Sequence, residues 1–233
     1  MKKSYFILAF FLVHFHSHAQ KPKLLNYQEV DKKLLHFGFS LGFNSMNMGI
    51  KRSFENYQKD TLFADVSKLQ PGFNVHIISE LRLTDNLALR CLPGLSFGER
   101  RLVFVKNGSE NLKMSLESNF IDFPLLIKYK SKRINNYRPY LLLGGAMRYD
   151  LAARKDYDQE GNEWIRLKPL DYYAEIGFGI DWYLVFFKFS NEIKFSMGFR
   201  DILVHEPYDA YPQYTNAIEK LNSYLLTIAF NFE

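Results

Sequence analysis

In eight runs between Leu35 and Phe232, apolar residues recur at every second position, and this period of two restricts the fold more than any other property of the sequence. In the first run Phe37, Phe39, Leu41 and Phe43 alternate with Gly38, Ser40, Gly42 and Asn44. Residues two apart share a face of a β-strand, so the pattern predicts strands with one apolar face and one small or polar face. In the second run Phe73, Val75, Ile77 and Leu81 oppose Asn74, His76, Glu80 and Arg82. In the third, Leu87, Leu89, Cys91, Leu95 and Phe97 oppose Ala88, Arg90, Gly94, Ser96 and Gly98. Pro93 lies on the apolar face of that run and predicts a local bulge, because proline donates nothing to a strand ladder. Ile121, Phe123, Leu125, Ile127 and Tyr129 then oppose Asp122, Lys128 and Lys130, and Pro139, Leu141, Leu143, Met147 and Tyr149 oppose Arg138, Gly144, Ala146, Arg148 and Asp150. The sixth run sets Tyr172, Ala174, Ile176, Phe178, Ile180 and Trp182 against Tyr173, Glu175, Gly177, Gly179, Asp181 and Tyr183. The seventh sets Phe187, Phe189, Ile193, Phe195, Met197 and Phe199 against Lys188, Ser190, Glu192, Lys194, Ser196 and Gly198. The eighth sets Tyr224, Leu226, Ile228, Phe230 and Phe232 against Thr227, Ala229 and Asn231.

The links between these runs alternate in length. Those after the second, fourth and sixth are a few residues each, whereas those after the first, third, fifth and seventh cover roughly 49–71, 99–117, 152–170 and 200–221. The long ones are polar and irregular, as in Lys106-Asn107-Gly108-Ser109-Glu110, and all four fall at one end of an up-and-down meander. The pattern predicts an all-β fold: an eight-stranded antiparallel up-and-down transmembrane β-barrel with short periplasmic turns and long extracellular loops. Helical membrane proteins are excluded, since the longest apolar run, Tyr5 to Val13, is far short of the ~20 residues a spanning helix needs. Cys91 is the single cysteine, which excludes an intramolecular disulfide and a zinc site built on cysteines.

Alternation alone does not say which face points outward, because a soluble barrel has the same period with apolar residues inside. Residue types decide. The small or polar face carries Gly, Ser and Ala in several runs, which suits a crowded narrow interior, and its charges are mixed in sign. Glu80, Arg82, Arg90, Asp122, Lys128, Arg138, Arg148, Glu175, Asp181, Lys188, Glu192 and Lys194 are expected to form a structural charge network across the lumen. A gated conduit is the alternative use of the same charges. The opposite face is almost free of charge, as a lipid-facing surface requires, since Lys or Arg there costs about 2–4 kcal/mol at the bilayer midplane. Tyr129, Tyr137 and Trp182 near the short turns, with Tyr149 and Tyr172 near the long loops, fit interfacial aromatic girdles. Eight strands leave an interior filled by side chains, so a wide diffusion pore is not expected.

The first residues read as an export signal. Lys2 and Lys3 precede the Tyr5–Val13 apolar stretch, and Ser17-His18-Ala19 offers a cleavage site before Gln20. The expected division is a signal peptide at 1–19, a short periplasmic N-terminal segment at 20–33 and an outer-membrane barrel at 34–233. Loss of Lys2 and Lys3 leaves 28 basic against 25 acidic residues, too even a balance to argue for nucleic acid. The expected location is the cell outer membrane, with outer-membrane lipid as a partner.

Three runs narrow the reading further: Leu35-His36-Phe37-Gly38-Phe39-Ser40-Leu41-Gly42-Phe43-Asn44, Arg138-Pro139-Tyr140-Leu141-Leu142-Leu143-Gly144-Gly145-Ala146 and Phe187-Lys188-Phe189-Ser190-Asn191-Glu192-Ile193-Lys194-Phe195-Ser196. Together they resemble the PorT family of outer-membrane barrels of the Bacteroidetes, and the stretch Asn119–Lys128 is similar to many related barrels. The resemblance implies a non-enzymatic accessory role in the type IX secretion system, which exports proteins with C-terminal sorting domains and, in gliding species, surface adhesins. Other secretion subunits would then be its partners. It supplies no catalytic, cofactor-binding or metal-binding residues.

The remaining candidates for chemistry are few. His14, His16 and His18 have ligand-like spacing but lie in the signal peptide, and His36, His76 and His205 are scattered. His205-Glu206, with Ser196 or Ser223 nearby, would offer a base and nucleophile for a lipid-modifying hydrolase; a solvated loop histidine is the simpler reading. Gly177-Phe178-Gly179 and Phe97-Gly98-Glu99 lack the helix that a phosphate loop requires and read as packing glycines. Cys91 is expected to face lipid as a small apolar residue. An outer-membrane adhesin acting through its loops is the alternative function, and no cofactor, metal or nucleic acid is expected.

Overall fold

A computed structural model describes residues 25–52, 63–66, 70–106, 109–154, 165–205 and 218–233. The expected signal peptide and its cleavage site lie outside these residues. Ten strand segments form one sheet: β1 Leu35–Arg52, β2 Phe63–Val66, β3 Gln70–Arg82, β4 Leu87–Cys91, β5 Gly94–Lys106, β6 Ser109–Lys130, β7 Tyr137–Asp150, β8 Leu170–Tyr183, β9 Lys188–Gly198 and β10 Ile218–Phe232. All pairings are antiparallel, and β1 pairs with both β10 and β3, so the sheet closes on itself. β4 and β5 are two halves of one stave between β3 and β6, which makes eight staves. The short β2 adds to β5 above the ring.

No bulge forms at Pro93. Ser79 faces Cys91 and His76 faces Gly94, while Leu125 and Asp122 face the same two residues on the other side. The paired positions are three apart in sequence on every strand, so the register runs straight through the proline. Pro93 still accepts from Ile77 N at 2.9 Å, and Leu92 N donates to Pro124 O at 3.1 Å. Each proline removes one ladder donor without adding a residue. The true register shifts lie higher, between Lys51 and Arg52 and between Phe104 and Val105.

The outer face is apolar around the whole ring. Phe37, Phe43, Ile77, Ile127, Leu143, Ile176 and Ile193 each keep half or more of their surface exposed. Tyr129, Tyr137 and Trp182 lie at the short-turn end and Tyr172 at the other, with the Trp182 indole N–H donating to Asn191 at 2.7 Å. An exterior of this composition is stable only against hydrocarbon.

The long-loop end departs from the sequence-based expectation. Much of 49–52, 99–117 and 218–221 is strand, not irregular loop. The period of two continues there with its sense reversed. On β6 the outward residues change from Ile121, Phe123 and Leu125 to Asn119, Glu117, Ser115 and Lys113, while Met114 and Leu116 turn inward and are buried. On β5, Leu102 and Phe104 point inward and Glu99 and Arg101 outward. These segments have left the bilayer: water wets their outside, and their inside forms an apolar core of Met48, Leu102, Phe104, Met114, Leu116, Ile165, Leu167, Ile202, Leu203, Ile218 and Leu221. The Leu167–Leu203 bridge ties two loops across this dome. The barrel is roofed.

Candidate functional site: the lumen and its two ends

Inside the ring the polar face of each stave meets the others across a narrow lumen, and the charges sort into layers. In the layer nearest the short turns, Glu80, Asp181, Glu192 and Glu233 face Arg90, Lys128, Lys130 and Lys188. Arg90 Nε and Nη2 both donate to Glu80 Oε2, at 2.9 and 2.7 Å, and Arg90 also reaches Glu192 at 3.2 Å and Glu233 at 2.8 Å. Lys128 donates to both oxygens of Asp181 at 3.0 and 2.9 Å and lies 3.5 Å from Glu80. Lys130 pairs with Glu80 at 3.0 Å and Lys188 with Glu233 at 2.7 Å. Tyr140 OH donates to Glu192 at 2.9 Å and Ser190 Oγ to Asp181 at 2.6 Å. Glu80, Arg90, Lys128 and Asp181 have no solvent-exposed surface, so the cross-section at this level is filled. Burying so many charges is tolerable only because each has an opposite partner and further hydrogen bonds.

A second layer lies toward the loops. Arg148 donates to Asp122 at 3.0 Å and also pairs with Glu175, which Lys194 meets at 3.1 Å. His76 Nε2 donates to Asp122 at 3.0 Å and Ser196 to Glu175 at 2.8 Å. Arg148 lies over the Tyr173 ring at 4.3 Å. Above it, Arg100 donates to Asp150 and to Ser118, each at 2.5 Å, directly beneath the apolar roof. On the outside of the projecting β5–β6 hairpin, a hydrogen bond from Ser115 holds the Glu99 carboxyl below its usual range.

The other end is covered too. Gln28–Lys32 forms a 3-10 turn across the mouth, burying Val30, and His36 Nε2 donates to the Val30 carbonyl. The Asp31 carboxylate accepts from Tyr183 OH at 2.8 Å and from Arg138 at 3.4 Å, and Arg133 stacks over Tyr183 at 3.7 Å. A cavity of about 150 Å³ lies at the edge of this cover, lined in part by Val30, His36, Phe37 and Glu233.

Of the twelve residues singled out in the sequence, ten lie in these two charge layers, and two do not. Arg82 is partly exposed at the rim, where it pairs with Asp85 and donates to the Lys32 carbonyl at 3.2 Å. It is the last residue of β3, two positions past Glu80 toward the short-turn end. Arg138 turns to Asp31, Ser131 O and Asp85 O instead, holding the mouth cover. The layers also contain His76, Lys130 and Glu233, and the Arg100–Asp150 pair lies above them. Strand parity alone could have added Lys130 and Glu233, which share a face with Lys128 and Asn231; Arg100 lay beyond the point where the apolar-outward pattern stops.

His205 bonds to Asp201 at 3.0 Å on the dome surface, whereas Ser196 is tied to Glu175 inside the barrel and Ser223 is fully buried. No hydrogen bond among the described residues joins either serine to His205, and Glu206 lies outside those residues. Gly179 makes room for the Tyr140 ring, which a Cβ would meet at 2.4 Å, and Gly98 makes room for Met46. Cys91 is a free thiol at an outward position of β4.

A closed antiparallel ring with an apolar exterior and a charged interior defines an integral β-barrel of the outer membrane. The outer membrane protein beta-barrel domain family matches residues 19–204, and the chain belongs to that family. Among solved structures the chain is similar to the outer membrane protein OprG of Pseudomonas aeruginosa, at 12% identity over 85% of this chain and 93% of that one, with a TM-score of 0.45. It is similar also to Neisserial surface protein A, at 11% identity over 85% and 98% with a TM-score of 0.41. A third is Ail, the attachment invasion locus protein of Yersinia pestis, at 10% identity over 84% and 96% with a TM-score of 0.34. No curated protein matches the chain.

Proposed function

We propose that this protein is a non-enzymatic scaffold of the outer membrane that serves type IX protein secretion, contacting other secretion subunits through its periplasmic mouth or its external dome. The observation that carries the scaffold reading is the filled lumen: paired charges occupy its cross-section, an apolar core roofs it, and the Leu25–Lys33 segment covers its base. What cannot pass through the middle must act at the ends. The assignment to type IX secretion rests on the resemblance of the first, fifth and seventh strand runs to the PorT family. The leader would be removed near Ala19 during export. Deleting the gene should trap cargo with C-terminal sorting domains in the periplasm; normal export in the deletion strain overturns the secretion role. The dome favours a second reading, a surface adhesin. On that reading, deleting 152–170 abolishes attachment and spares secretion.

A further inference from the structure

The lipid-facing surface is not equally tall around the barrel. On β6 the outward apolar positions run only from Ile121 to Tyr129, bounded by Asn119 above and Ser131 below. Eight residues of tilted strand cover about 20 Å of bilayer normal. On the β8–β9 hairpin the outward apolar residues run from Tyr172 to Leu184 and back from Phe187 to Phe199, about 30 Å by the same measure. Asn191 is the one outward polar residue on this hairpin, and it is engaged by the Trp182 indole.

The extra height lies at the short-turn end. Leu184, Val185, Phe186 and Phe187 form a turn without a charged or polar side chain, and Phe186 is 85% exposed and Val185 64%. The other two short turns are different, with Thr84-Asp85-Asn86 between β3 and β4 and Lys132-Arg133 between β6 and β7. The apolar turn continues without a break from the aromatic girdle at Trp182 and Phe189.

We infer that the β8–β9 turn is seated in lipid, so that the inner leaflet of the outer membrane extends about 10 Å further along this side of the barrel than along the β6 side. Lipid is the occupant because the surface is continuous with the established bilayer-facing band. The leaflet thickens or the barrel tilts to cover the turn.

The test places a nitroxide label on Phe186→Cys in a Cys91→Ala background, with the whole barrel reconstituted in phosphatidylethanolamine–phosphatidylcholine vesicles. Power saturation compares collisions with oxygen and with a water-soluble nickel chelate. Labels at Ile127→Cys and Lys132→Cys supply the lipid and water references. The label at 186 should behave like that at 127, with oxygen collisions dominant. Nickel collisions matching those at 132 overturn the inference and leave the turn to a periplasmic protein. Should Phe186→Cys fail to fold, shown by loss of heat-modifiable gel migration, Val185→Cys reads the same surface with the same two outcomes.

Discussion

Arg90 is reached by three carboxylates, Glu80 on β3, Glu192 on β9 and Glu233 just past β10, and none of the four groups keeps more than a trace of solvent contact. Such a group is held by its partners and is costly to leave alone. Glu80 is the most connected acid, touching Arg90, Lys128 and Lys130. Glu80→Ala should therefore lower stability by about 3–5 kcal/mol, read by urea unfolding from lipid vesicles, because three cations lose a counter-charge while remaining buried. Adding Lys130→Met should recover part of the loss; a double variant as weak as the sum of the singles would show that the two residues do not interact. The lipid face makes a different demand. Ile127→Arg should cost about 2–4 kcal/mol in the same assay, whereas Ser115→Arg, outward on the projecting hairpin, should be near neutral.

At the level of elements, the hairpin β5–β6 joins two environments within one regular ladder. Its lower part faces hydrocarbon outside and charges inside; its upper part faces water outside and an apolar core inside. Phe104→Ala should cost about 3–5 kcal/mol through the cavity it opens in the roof. Protease should then cut within the dome while the membrane-embedded staves stay protected, which mass spectrometry of the fragments would establish. The eight staves were legible in the sequence because each keeps one sense of alternation for eight or more residues, from Leu35 through Phe43 or from Tyr172 through Trp182. The dome was not, because beyond Asn119 the same period reverses its sense, and a run followed for apolar residues on the outside then looks like polar loop. Arg100 was missed for that reason. Pro93 misled in the opposite direction, since a missing donor does not require an extra residue. The charge layers were largely legible from parity, but which cation meets which anion depends on the tilt that brings β4 opposite β9, and no pattern within one strand contains that.

For the molecule as a whole, a filled lumen has a measurable consequence. The purified barrel in planar bilayers should show no stepwise conductance, and a steady ion current of porin size would contradict the roof, the charge layers and the mouth cover together. Without detergent the mature polypeptide should not remain a folded monomer, given the ring of exposed Phe, Leu and Ile around its exterior. Glu233 bears on assembly. Its carboxylate lies between Arg90 on β4 and Lys188 on β9, and its backbone pairs with Lys188, so one side chain at the seam draws in cations from separate walls. A half-zipped intermediate would leave Arg90 with its β3 partner Glu80 but without the counter-charge that Glu233 shares between Arg90 and Lys188, and only the complete circle supplies it. Closure is thereby favoured over a partly curled sheet, since electrostatics rewards the last edge finding the first.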